Sequence, residues 1–266
     1  MTDVRPARPT IAELRAVCQP PAIRGRKNSE HWVADAYQRQ ISPYLTRVLI
    51  RTPITANQVT WLMVITGASV AFALLIPGIW GAVLAAFLGQ LQMLWDCCDG
   101  EVARWRQMSS PKGVYIDRVG HYTAEGLIPI ALGMRAAGFP DAGWAATPWP
   151  FLGALLAVIV LYNKALNDSV HVARAYNNLP RLEDNRSVGV PQASGLRRLR
   201  SLVKLFPFYR AYHSVELSLL ALLAAVIDLA IGGLGATQWL VALLLAFGAV
   251  TVVGHLVTIL SSSKLR

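Results

Sequence analysis

Long apolar runs separated by short polar breaks dominate the chain from residue 58 onward. A helix needs about 20 largely apolar residues to cross the hydrocarbon layer of a bilayer. The pattern predicts six such helices, over 58–77, 79–105, 112–138, 150–177, 210–234 and 236–261. The second, third and fourth exceed the length a bilayer requires, and each is polar at one end. They are therefore expected to project beyond the membrane surface. Ahead of them, Trp32, Val33, Tyr37, Ile41, Tyr44, Leu45, Val48 and Leu49 recur at three- and four-residue spacings among charged residues. That pattern suits an amphipathic helix over 30–51 lying in the interface plane. Residues 1–29 are rich in proline and arginine and are expected to be poorly ordered. The reading is an all-α membrane domain over 30–266, with a six-helix bundle at 58–261.

Composition supports lipid as the solvent. Hydrophobic residues make up 54% of the chain and charged residues 15%, with a mean hydropathy of +0.42. A soluble domain carries about 25% charged residues. The net charge of +10 raises the question of nucleic acid, but basic and aromatic residues form no stacking platform, so none is expected. Its distribution is more informative. Nine Lys and Arg fall in 1–57, four in 101–118, nine in 164–210 and two in 264–266, leaving only Arg135 near an opposite-side loop. Positive loops stay in the cytoplasm and attract anionic headgroups, so both termini and the polar helix ends are expected there, in the inner membrane if the cell is bacterial. The first residues lack the order of a signal peptide. Cys18, Cys97 and Cys98 fit neither a disulfide framework nor a zinc spacing.

Acidic residues mark the chemistry. Ionisable groups inside a membrane protein are costly and point to function. Asp96 and Asp99 are three apart and share a face of the second helix, with Gly100 and Ala103 leaving room beside them. On the third helix Gly113, Asp117, His121 and Glu125 follow one another at one-turn intervals. Facing helices that contribute inward carboxylates are a recurrent way to hold hard divalent cations, and oxygen ligands suit Mg²⁺ or Mn²⁺. The bland alternative pairs these acids with Arg104, Arg106 and Arg118 at a helix end.

The string Asp96-x2-Asp99-Gly100-x2-Ala103-Arg104-x8-Gly113-x3-Asp117-x3-His121 resembles the signature of the CDP-alcohol phosphotransferases. Pro53 to Thr60 also resembles the segment before the family's first membrane helix. The resemblance implies six helices, a homodimer and a cytoplasm-facing polar cavity. It implies that Asp96, Asp99, Asp117 and the residue at 121 hold two divalent ions. Gly100, Ala103, Arg104 and Gly113 match positions that admit or contact the cytidine diphosphate, although Arg104 pairing with a motif acid is an equal reading. The implied reaction moves a phospho-alcohol group, such as phosphatidyl from CDP-diacylglycerol, onto an alcohol or alcohol phosphate, with release of CMP.

One position departs from the pattern: His121 stands where the family has its last aspartate. Neutral imidazole ligates metals, and its ordinary pKa near 6.5 suits a general base. Glu125, one turn on, is placed to fix its tautomer. The loss of a negative charge weakens a second ion and opens the alternative of a catalytically impaired lipid-binding protein. A transporter is a third reading, but it predicts charges near the bilayer midplane rather than at helix ends. For the acceptor, Arg118, Lys164 and Arg174 are candidates, with Asn167, Asp168 and His171 on the same face of the fourth helix and His213 and Glu216 bordering weakly. Asp228, deep in the fifth helix, has no evident partner.

Overall fold

A computed structural model describes residues 5, 6, 8–21, 33–180, 211–262 and 265. Trp32 and residues 181–210, which fall in the basic stretch 164–210, lie outside these residues. Among the described residues the regular structure is helical, with no strand. The helices are α1 (Ile11–Cys18), α2 (Arg39–Leu49, entered through a π-helical turn over Ala34–Gln38), α3 (Ala56–Leu74), α4 (Gly78–Trp105), α5 (Pro111–Ala136), α6 (Trp149–Tyr176), α7 (Ser214–Ile231) and α8 (Gly235–Ser261).

Local sequence explains where these helices begin and end. Thr55 and Gln58 form a reciprocal capping pair ahead of α3, the Gln58 side chain accepting from the Thr55 amide at 2.8 Å. Ser110 accepts from the Gly113 amide at 3.1 Å, and Pro111 follows it at the first helical position of α5. Gln107 takes a left-handed φ of 57°, and the Met108 amide reaches back to the Ala103 carbonyl, closing α4 in a Schellman turn. Asn178 closes α6 the same way. Within the described residues 8–21, α1 carries a complete capping box between Thr10 and Glu13.

The chain divides into two compact units, Met1–Gly67 with Leu88–Thr123, and Ala68–Phe87 with Ala124–Arg266. In the first, Leu49, Val59, Cys98 and Val102 form one core cluster, and Met63, Val64 and Ile116 another. Gly120 brings α5 close to α3: a Cβ there would lie 2.7 Å from the Val64 side chain. Helix α2 buries Pro43 and Leu49 together with polar residues. Its buried face includes Ser42 and Thr46, and Ile41, Tyr44 and Val48 are exposed.

In the second unit α8 packs on α6 and α7. Helices α5 and α6 approach closely where Gly133 meets Gly153, since a Cβ on Gly133 would fall 2.7 Å from the Gly153 Cα. Arg135 is buried, and its two terminal nitrogens donate to the carbonyls of Leu74, Ile76 and Gly78. Asp228 acquires a structural account that its sequence context did not supply. Its carboxylate accepts from the Ala236 amide at 2.7 Å and from the Thr237 amide and hydroxyl, so it caps the positive end of α8.

Among the described residues five helices, α3, α4, α6, α7 and α8, are long and apolar enough to cross a membrane. Their outward side chains include Trp80, Phe72, Phe151, Leu229, Trp239 and Val250. Such a surface belongs in lipid, and the chain has the helices of an integral membrane protein. Helix α5 has the expected extent but falls short in apolarity, because Lys112, Asp117, Arg118, His121, Glu125 and Arg135 lie along it. The residues that lower its hydropathy include those of the candidate site.

Candidate functional site

Two helices of the first unit bring their acids together. Asp96 is on α4, and Asp117 and His121 are one turn apart on α5. The His121 Nε2 atom lies 3.5 Å from Asp96 Oδ1 and 3.5 Å from Asp117 Oδ1. One donor atom from each of the three falls within 4.8 Å of the others, and all three side chains are partly buried. Asp99, one turn after Asp96, is close enough for the charges of Asp96 and Asp117 to act on it. Like charges this near one another need a cation or a proton among them. Two carboxylates and an imidazole whose donor atoms converge fit a divalent ion.

The small motif residues have specific packing reasons. A Cβ on Gly100 would lie 2.9 Å from Nη1 of Arg104, so the guanidinium occupies the space that the glycine leaves. A Cβ on Gly113 would lie 3.0 Å from Oδ1 of Asn57, so that glycine admits the start of α3. Arg104 donates from Nε to the Cys18 carbonyl at 2.8 Å. Ala103 ends α4 through its carbonyl. Arg118 is exposed.

In the second unit Glu125 is 4% exposed and central to a separate polar cluster. Its Oε1 accepts from Lys164 Nζ at 2.6 Å and lies 3.1 Å from His213 Nδ1. These three residues, with Asn163, Asn167 and Tyr212, line a cavity of about 100 Å³. The spacing of the acids does not foretell that Lys164 and His213 share Glu125, because they come from α6 and the residue before α7. Arg174 is buried, and its Nε and Nη2 donate to the Pro180 carbonyl at 3.0 and 2.8 Å.

One residue inside the motif escapes the sequence reading. Glu101 is 1% exposed, and its carboxylate accepts from Gln19 Nε2 at 2.7 Å, Ser42 Oγ at 2.6 Å and Thr46 Oγ1 at 2.6 Å. Its signal in the sequence was position alone: an acid one residue after Gly100, on the helix face away from Asp96 and Asp99.

The apolar helices thus carry a cluster of two acids and a histidine that could hold a metal ion. Residues 53–179 match the family model of CDP-alcohol phosphatidyltransferase, and this stretch is a domain of that family. The family consists of transferases of substituted phosphate groups, acts in lipid biosynthesis and uses divalent metal. No curated protein matches the chain.

Proposed function

We propose that the protein transfers a phosphatidyl-type group from a CDP-linked donor, such as CDP-diacylglycerol, to an alcohol and releases CMP. The observation that carries this reading is the convergence of Asp96, Asp117 and His121, with Asp99 beside them, inside the matched domain. Asp96, Asp99 and Asp117 would hold Mg²⁺ or Mn²⁺, which would neutralise phosphate oxygens and the charge that develops on the leaving CMP, and His121 serves as a further ligand or as the base, the role taken here. The family resemblance favours two ions, and the neutral imidazole in place of a carboxylate weakens the second.

Bond changes are confined to one phosphorus. The acceptor oxygen bonds to the β-phosphorus, the bond from that phosphorus to the α–β bridging oxygen breaks, and CMP departs with the electron pair. His121 takes the acceptor's hydroxyl proton at Nε2, where Asp96 and Asp117 at 3.5 Å stabilise the imidazolium. Gly100 leaves room for the Arg104 guanidinium, which offers its fork to the diphosphate. Six spans, with α5 as the third, a homodimer, an interfacial α2 and a cytoplasmic active site complete the proposal. The concentration of Lys and Arg in alternate segments supports that orientation.

Lys164, Arg174 and Arg118 remain candidates for the acceptor. Glu125 already balances the Lys164 charge, which favours a hydroxyl-rich acceptor over a strongly anionic one at that residue. Replacing His121 by Ala and by Asp while following CMP release tests the base. His121→Ala is expected to lose about 10²-fold or more and His121→Asp to recover much of it. Equal release by wild type and His121→Ala would end the assignment.

A further inference from the structure

The family match begins at residue 53, yet the helix that carries Asp96, Asp99, Gly100 and Arg104 is tied down by residues that precede it. Three ties converge within the first unit. The Glu101 carboxylate accepts from Gln19, Ser42 and Thr46, which come from the end of α1 and from α2. Arg104 Nε donates to the carbonyl of Cys18, the last residue of α1. Arg5 donates to the Trp105 carbonyl at 2.7 Å and to that of Arg104, and its guanidinium sits 5.6 Å from the centre of the Trp105 ring.

The chemistry of Gln19 explains how these ties act together. Pro43 lacks an amide hydrogen, so the Arg39 carbonyl inside α2 loses its helical donor. Gln19 Nε2 donates to that carbonyl at 2.8 Å and to Glu101 Oε1 at 2.7 Å. One buried amide thus bridges α2 and α4 while standing at the end of α1. The contact of α1 with α4 is sealed by Leu14 and Cys18 against Trp105.

We infer that α1 and Gln19 form a brace that sets the Arg104 guanidinium over Gly100, making Gln19 and Glu101 positioning residues for nucleotide binding. With Nε committed to Cys18, the two terminal nitrogens of Arg104 are aimed along α4 toward Gly100. A guanidinium fixed at one nitrogen loses less freedom when its other two engage a phosphate. The inference rests on the proposed role of Arg104 toward the nucleotide.

The test is calorimetric binding of CDP, with Mg²⁺ present, to the full chain in detergent. Leu14→Glu inserts a charge under α1, and Gln19→Ala removes the bridge without disturbing the apolar seal. Leu14→Glu is expected to weaken CDP about 10-fold and Gln19→Ala about 3-fold, as for residues that act through a neighbour. The double variant Leu14→Glu/Arg104→Ala binds no more weakly than Arg104→Ala alone, since both act through one group. Should Leu14→Glu fail to fold, Gln19→Ala and its double variant with Arg104→Ala decide the question. If wild type binds CDP while the brace variants bind it equally well, the brace is overturned alone. Independent, multiplying losses in the double variant overturn it too. A wild type that binds no CDP overturns the functional reading, and the brace with it.

Discussion

Buried polar residues in this chain serve two ends, and their partners separate them. Asp228, Arg135 and Glu101 each meet several donors or acceptors that satisfy helix ends or neighbouring hydroxyls. Asp96, Asp117 and His121 instead face one another. Asp228→Ala should therefore leave chemistry alone and remove the cap of α8, costing about 1–2 kcal/mol of stability. A fall in the unfolding midpoint with CMP release per folded molecule unchanged is the expected pair of results. Cys18 gives a test of burial. Burial pushes its thiol up to about 11, and the charge of Glu101 acts in the same direction. The neutral thiol is the form the fold favours, so its stabilising contribution is full below the ordinary value of 9.0 and is lost as pH rises toward 11. Folded protein at pH 8 should alkylate at Cys18 far more slowly than unfolded protein, as mass spectrometry of the labelled peptide would show.

At the scale of helices, much was legible and the reason is periodicity. The expected spans 79–105, 112–138, 150–177 and 236–261 differ from α4, α5, α6 and α8 by only one or two residues at either end. Apolar runs closed by Pro111, Gln107 and Gly232 leave few alternatives. Helix α1 escaped because eight residues are too short for a periodic signal, although Thr10 and Glu13 carried a readable capping box. Glu101 and Gln19 escaped because their bond joins positions 82 apart in sequence. No local pattern encodes such a contact. The motif acids were legible because their chemistry fixes residue types at helical spacings, whereas the meeting of Glu125, Lys164 and His213 depended on which helices pack together. Helix packing also makes a prediction. Gly133→Ala would place a methyl 2.5 Å from the Trp149 carbonyl and 2.7 Å from the Gly153 Cα. Separating α5 from α6 is expected to cost about 1–3 kcal/mol. Thermal unfolding in detergent would register it, and an unchanged midpoint would show that the close approach does not hold the pair.

For the molecule as a whole, the apolar exterior and the acids are two parts of one arrangement. Five helices carry lipid-compatible surfaces, and α5 gives up apolarity to hold ionisable groups. The proposed transfer from a lipid-linked diphosphate would need both, since one half of that donor is lipid and the other is charged. The most direct test is CMP release from CDP-diacylglycerol by the purified full chain, with inositol phosphate or glycerol phosphate as acceptor. Mg²⁺ or Mn²⁺ should support release, a chelator should stop it, and Asp117→Asn should lower it by about 10²-fold or more while the protein stays folded. Release that continues undiminished in the chelator and in Asp117→Asn would contradict the account.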